Sequence, residues 1–230
     1  MCFSAEVDIV TGVVVAAAGV DALRHVRQPR ELALAGLPAL LAAHQFTEVF
    51  VWSDLQDLTP RSTTSAAVTL YAFVAFVVLP AYVPWAVRAV EPVYERRRLM
   101  LPFAALGVLV ALVYAVAIVR RPVVATVLGN KIDYETGLEL GGAVAALYIL
   151  AACGPLLASS HRRIVVFGVW NVVAVIALVL LAQEGLTSLW CAWAALTSIL
   201  IARHLRVSHE PGAPAHETRV TASEAASARS

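Results

Sequence analysis

LMLPFAALGVLVALVYAVAIV, residues 99–119, runs for 21 residues without a charged side chain, and ERRR (95–98) and RR (120–121) close it at both ends. An α-helix rises about 1.5 Å per residue, so about 20 apolar residues cover the hydrocarbon core of a bilayer. Inside that core the backbone must satisfy its own hydrogen bonds, and a helix does so within one segment. The stretch therefore reads as a membrane-crossing helix with basic anchors.

The pattern recurs. Seven stretches, residues 5–24, 32–52, 65–87, 99–119, 136–159, 164–183 and 187–203, read as candidate spans. No period-two alternation is present, which argues against an outer-membrane barrel. Composition agrees: the 230 residues are 60% hydrophobic and 14% charged, against roughly 25% charged in a soluble domain. A net charge of +1 implies no nucleic-acid partner. The first residues carry no Lys or Arg, so no cleavable signal is expected, and residue 2 is not the Gly that myristoylation needs.

Most joints are short: RQPRE after the first span, SSHRR after the fifth, QEGL after the sixth. Gly185 suits a helix stop and Thr187 or Ser188 an N-cap. TGLE (136–139) matches a capping box at the start of the fifth span. Loops two and four are longer. Pro80 and Pro84 are expected to kink or end the third span, with Pro92 helping to stop it. ERRRL (95–99) suits anionic headgroups, Asn171 an interhelical hydrogen bond, and Gly141 and Gly142 close helix contact. No internal repeat supports an inverted-repeat transporter. The tail, 207–230, rich in Ala, Ser, Glu and Pro, is expected to be disordered and cytoplasmic.

Lys and Arg placement orients the bundle. Loops one, three and five and the near tail hold eleven: Arg24, Arg27, Arg30, Arg88, Arg96, Arg97, Arg98, Arg162, Arg163, Arg203 and Arg206. The opposite side holds four: Arg61, Arg120, Arg121 and Lys131. The expectation is an all-α integral membrane bundle of seven transmembrane helices over residues 1–206, N-terminus outside and C-terminus cytoplasmic.

This orientation gathers reactive residues at the outer side. His44 and Glu48 share a face of the second span, and Trp52 continues it. Ionisable groups inside a membrane span mark a function or a buried partner. Glu48 is the strongest candidate, as acid or base or as the charge of a ligand-binding site. His44, Trp52, Tyr71, Tyr114 and Trp190 are its expected companions around an outward-opening polar cavity. Bland readings stand beside these. Trp52, Trp190 and Trp193 suit an aromatic belt. His44 suits a hydrogen-bonded interior histidine, Glu139 a capping box, and Glu184 a solvated loop.

Cys2 and Cys191 are expected at the same face and depth, with Cys153 toward the inner end of the fifth span. Three readings are open for the first pair. They could form a disulfide, since that face permits one. They could serve, with His44, as ligands of a transition metal, which the Cys2 amine and thiol would chelate after loss of Met1. Or they could remain two buried thiols. CxxC, HExxH and GxSxG are absent.

MCFSA at the N-terminus, HQFTEVFVW (44–52), LYILAACGPLLASSHRRIVVFG (147–168) and SLWCAWAALTSILI (188–201) resemble an uncharacterised, domain-of-unknown-function family of small bacterial multi-pass membrane proteins beginning Met-Cys-Phe-Ser-Ala. The resemblance spans about residues 1–206. It implies an integral protein of the bacterial cytoplasmic (inner) membrane, with the lipid bilayer as its partner, and carries no activity. The family pattern has glutamine where this chain has His44, which weakens a metal site and leaves Cys2, Glu48, Trp52, Trp190 and Cys191 as the matching set.

Three functions follow. The first is binding or moving a small ligand or cation at Glu48. The second is a membrane enzyme using Glu48 with Cys2 and Cys191, metal-dependent or by thiol–disulfide chemistry. The third is a structural subunit of a membrane complex. A retinal protein is disfavoured because the seventh span has no lysine. The orientation has a direct check: a green fluorescent protein fused at the C-terminus should fluoresce and alkaline phosphatase at the same point should stay inactive. The reverse pattern would invert the assignment.

Overall fold

The computed structural model describes residues 4–56, 61–128, 131–138, 141–180 and 188–207, the side chains of 131, 177–180 and 188–192 excepted. Within these, the chain is predominantly helical. The helices are α1 (Ala5–Arg24), α2 (Leu32–Leu55, entered through a 3-10 turn at Pro29–Glu31), α3 (Ala66–Val90), α4 (Tyr94–Arg120, with a break at Met100), α5 (Gly141–Ala158), α6 (Arg162–Leu180) and α7 (Ser188–Val207). Among the described residues, four helices are long and apolar enough to cross a membrane: Pro29–Leu55, α3, α4 and α5. The seam at QEGL, residue 187 and the tail lie outside the described residues.

α2 is the hub. It packs on α1, α3 and α7, while α7 also lies against α1. α3, α4 and α5 pack on one another, and α6 lies against α5. Close approach depends on glycine at particular crossings. A Cβ on Gly19 would meet the Ala39 backbone of α2 at 3.1 Å, and one on Gly107 would fall on the Pro80 carbonyl. Gly141 and Gly142, expected at such contacts, have nothing within 4 Å of a built Cβ. They start α5 beyond the packed part of the bundle.

Pro80 and Pro84 do not end the helix, one of the two outcomes expected of them. α3 runs through Pro80 and Pro84 to Val90, and a π turn at Val74–Val78 absorbs the misfit. In π register the Ala75 carbonyl would pair with the N–H five residues on, which Pro80 lacks. The Tyr148 hydroxyl of α5 donates to that carbonyl instead, at 3.3 Å. The helix ends where Glu91 turns to an extended backbone, directly before Pro92.

Loops two and four are not irregular. They form a three-stranded antiparallel sheet, ordered β1 (Ser62–Thr63), β2 (Val124–Leu128), β3 (Lys131–Glu135). Register pairs Thr63 with Ala125 and Ala125 with Tyr134. Ala125 and Ile132, with Val123 just before β2, turn inward onto Val51, Leu55, Val68 and Tyr71 and make a second core at this end. The fifth helix therefore starts at Gly141 and not at Thr136. Gly137 has φ +68°, a left-handed conformation that takes residues 136–138 out of helix, so TGLE opens no helix there.

The opposite end carries the arginines and is held by polar clamps. Arg206 pairs with Asp21 of α1 at 2.5 and 2.8 Å. Arg96 donates to the carbonyls of Ala158 and Ser159 at 3.1 and 3.0 Å. Glu91, 2% exposed, accepts from Ser159 Oγ at 2.9 Å, Ser160 N at 2.8 Å, Ser160 Oγ at 2.5 Å and Val93 N at 3.2 Å. It thereby ties the α3–α4 turn to the α5–α6 turn.

Burial pushes the Glu91 carboxyl up, but the Ser160 and Ser159 donors and the Val93 amide outweigh it and hold it below the ordinary 4.5. A carboxyl lowered on folding adds stability above its unfolded value and loses it as pH falls through the folded one. Glu91→Ala should therefore cost roughly 2–3 kcal/mol near neutral pH, the scale of a hydrogen-bonded buried charge. In thermal unfolding in detergent, the gap to wild type should close as pH drops below 4.5. A gap that is constant with pH would contradict a charged Glu91.

Candidate functional site

α2 carries a polar stripe on an otherwise apolar helix. His44, Gln45, Glu48, Val51, Trp52 and Leu55 are its buried residues at this end, and their three- and four-residue spacing puts them on adjoining lines of one face. Two neighbours meet this face. α1 presents Asp8, fully buried, within electrostatic reach of Glu48 and beside the Trp52 indole. α3 presents Tyr71, 1% exposed. The close α1–α2 crossing puts Asp8 opposite Glu48.

The sheet supplies the cover. Tyr134 of β3 donates its hydroxyl to Glu48 Oε1 at 3.3 Å. Its ring stacks on Tyr71 at 4.4 Å between centroids, and Tyr71 stacks on His44 at 4.0 Å. The three rings make a column beside the carboxyl. Glu48 is 2% exposed, so in this structure the carboxyl expected in an outward-opening cavity is enclosed by its neighbours. Burial and the adjacent Glu48 charge push the Tyr134 phenol well above its ordinary value, which keeps it a donor.

Not all the polar capacity is used. His44 Nδ1 and both amide atoms of Gln45, buried residues on the same stripe, have no hydrogen-bond partner. Buried polar atoms of this kind cost about 1–3 kcal/mol each unless something meets them. Two carboxyls this close in a low-dielectric interior cannot both ionise without a proton or a cation between them.

His44, Glu48, Trp52 and Tyr71 come together at this end of the bundle. Tyr114 does not join them: it is buried on α4 and stacks on Phe76 at 4.9 Å. Cys2, Glu139 and Glu184 lie outside the described residues, as do the side chains of Trp190 and Cys191 in the first turn of α7. The disulfide and the Cys2–His44–Cys191 metal set therefore fall outside them too. Among the described residues, no group of three or more His, Cys, Asp or Glu is placed to hold a metal ion. The Trp193 Nε1 donates to Asn171 Oδ1 at 2.7 Å, and Asn171 Nδ2 donates to Cys153 Sγ at 3.3 Å, which links α5, α6 and α7 by the interhelical hydrogen bonding expected of Asn171.

A family profile described as "Family of unknown function (DUF6629)" matches residues 1–216. The chain belongs to this family. Searches of the curated proteins and of the solved structures found no match.

Sequence reasoning passed over three members of the site. Asp8 was legible as an ionisable residue inside the first span. Gln45 was legible as a polar neighbour of Glu48 on the same face. Tyr134 was legible only through TVLGNKIDY (126–134), two β-rich runs joined by Gly-Asn, the signature of a hairpin. The enclosure has a chemical check. A water-soluble carbodiimide should leave Glu48 unmodified in the intact wild type and modify it once Tyr134→Ala removes the cover, as read by mass spectrometry of the peptide carrying it. Equal modification of both proteins would contradict a closed chamber.

Proposed function

We propose that this family member is a seven-helix protein of the bacterial cytoplasmic membrane, N-terminus outside, that binds a small cation at Asp8 and Glu48. Four apolar helices support the membrane reading. The arginine asymmetry supports the orientation, which places the sheet and the polar chamber at the extracytoplasmic side. The residues following Val207 are then a cytoplasmic tail.

One observation carries the cation reading: two buried carboxyls on adjacent helices share a chamber with the unpartnered Gln45 amide and His44 Nδ1. Carboxylate and amide oxygens suit a hard cation. Among the described residues no three His, Cys, Asp or Glu side chains are placed to ligate one metal ion, so the carboxylate and amide oxygens suit a monovalent ion of alkali-metal charge better than a transition metal. Exchange with the outer water would pass the Tyr134 cover, so binding, and any movement of the ion, would require the hairpin to shift.

Thermal unfolding of the purified full chain in detergent, at fixed ionic strength in sodium, potassium or N-methylglucamine chloride, tests this. A ligand at about a hundred times its Kd adds about 2.7 kcal/mol, which for a chain of this size raises Tm by on the order of 5 °C. Sodium or potassium should give that rise over N-methylglucamine, and Glu48→Gln and Asp8→Asn should each abolish it. Identical melting in all three salts would overturn the reading.

A further inference from the structure

A second cavity lies away from Glu48 and differs in character. It is half-open, about 850 Å³, and lies between α6 and α7, bordered by α2, α3 and α5. Its origin is in the packing: α6 lies against α5, and α7 against α1 and α2. Between α6 and α7, the Asn171–Trp193 bond and the Phe167–Trp193 stack at 6.1 Å bridge the gap. Leu37, Leu41, Val83, Leu156, Trp170 and Leu200 are typical of its walls. Of the polar groups away from the mouth, Asn171 is bonded to Cys153 and Trp193, the Tyr148 hydroxyl to the Ala75 carbonyl and the Thr197 hydroxyl to the Trp193 carbonyl. Such a lining offers a soluble polar ligand little to hold.

The mouth is different. Arg162 and Arg163 begin α6, Arg203 sits in the last turns of α7, and all three line the groove. None has a carboxylate partner among the described residues, and no Asp or Glu lines the cavity. The volume is in the upper part of the usual range for small-molecule sites, about 300–1,000 Å³. An apolar slot with unpaired guanidinium groups at one end complements an amphiphile with an apolar tail and an anionic head.

The geometry points to a site for one anionic phospholipid, its acyl chains in the groove between α6 and α7 and its phosphate on Arg162, Arg163 and Arg203. This rests on the membrane-spanning reading but not on the cation site. The arginines lie at the basic end, so the lipid belongs to the cytoplasmic leaflet. There it fills space that the helices leave between them and neutralises charge that no carboxylate among the described residues meets.

Trp170 and Trp193 line the groove and report its occupant. Purified full chain in detergent, in N-methylglucamine salt so that no alkali response contributes, is titrated with brominated-chain phosphatidylglycerol or brominated-chain phosphatidylcholine, and tryptophan quenching is followed. Phosphatidylglycerol should quench at a concentration at least about tenfold lower, given three arginine contacts. Arg162→Gln/Arg163→Gln/Arg203→Gln should bring the two lipids close together, and the single Arg163→Gln should reduce the preference if the triple variant does not fold. Ala152→Phe, which fills the groove and leaves the arginines, should weaken quenching by both. Equal potency of the two lipids on wild type, a triple variant that keeps the preference, or no quenching by either lipid, as when a partner's helix occupies the groove, would overturn the inference.

Discussion

A backbone amide or carbonyl buried among apolar side chains has no water to turn to, and the local departures of this bundle from regular helix come with replacement partners. Where Pro80 removes an N–H, the register loosens to a π turn and the Tyr148 hydroxyl of another helix takes the freed Ala75 carbonyl. Where α3 gives way to α4 and α5 to α6, Glu91 collects two hydroxyls and two amides at once.

The two ends solve that problem in opposite ways, and function is proposed where they differ. At the basic end the buried carboxylate is fully met: Glu91 has its four donors, and Arg206 has its aspartate. Such a cluster is a clamp. At the sheet end the hydrogen bonding is incomplete, since Gln45 and the Nδ1 of His44 stay unmet while two carboxyls are buried alongside. A fold that wanted only stability would place apolar side chains there, because half-satisfied polar chambers are costly. Retaining one is the physical reason to read it as a site.

Much of the architecture could be read in advance because long apolar segments leave the backbone few options. Ala5–Arg24 is the first helix within the bounds its hydropathy sets, and the α2 face carrying His44, Glu48 and Trp52 follows from four-residue spacing alone. The misreadings share a cause. TGLE has the composition of a capping box, yet Gly137 takes a left-handed turn because the chain is leaving a β-hairpin and not entering a helix. Tyr114 has the depth of a site residue but stacks on Phe76, because which way a tyrosine on α4 points is settled by how α4 sits on α3. Gly141 and Gly142 look like contact glycines and touch nothing, whereas Gly107 lies under the Pro80 carbonyl.

From sequence alone came what is local and periodic: apolar length, basic flanks, and which residues share a helix face. Those follow from a 3.6-residue repeat and the thickness of a bilayer, and need no knowledge of neighbours. Tertiary structure alone decided what meets across the bundle. Tyr134 reaches Glu48 over 86 positions of chain, Asp8 comes to it from another helix, and α6 and α7 stand apart around a groove. These depend on the angles and gaps between packed helices, which no single segment carries in its own residues.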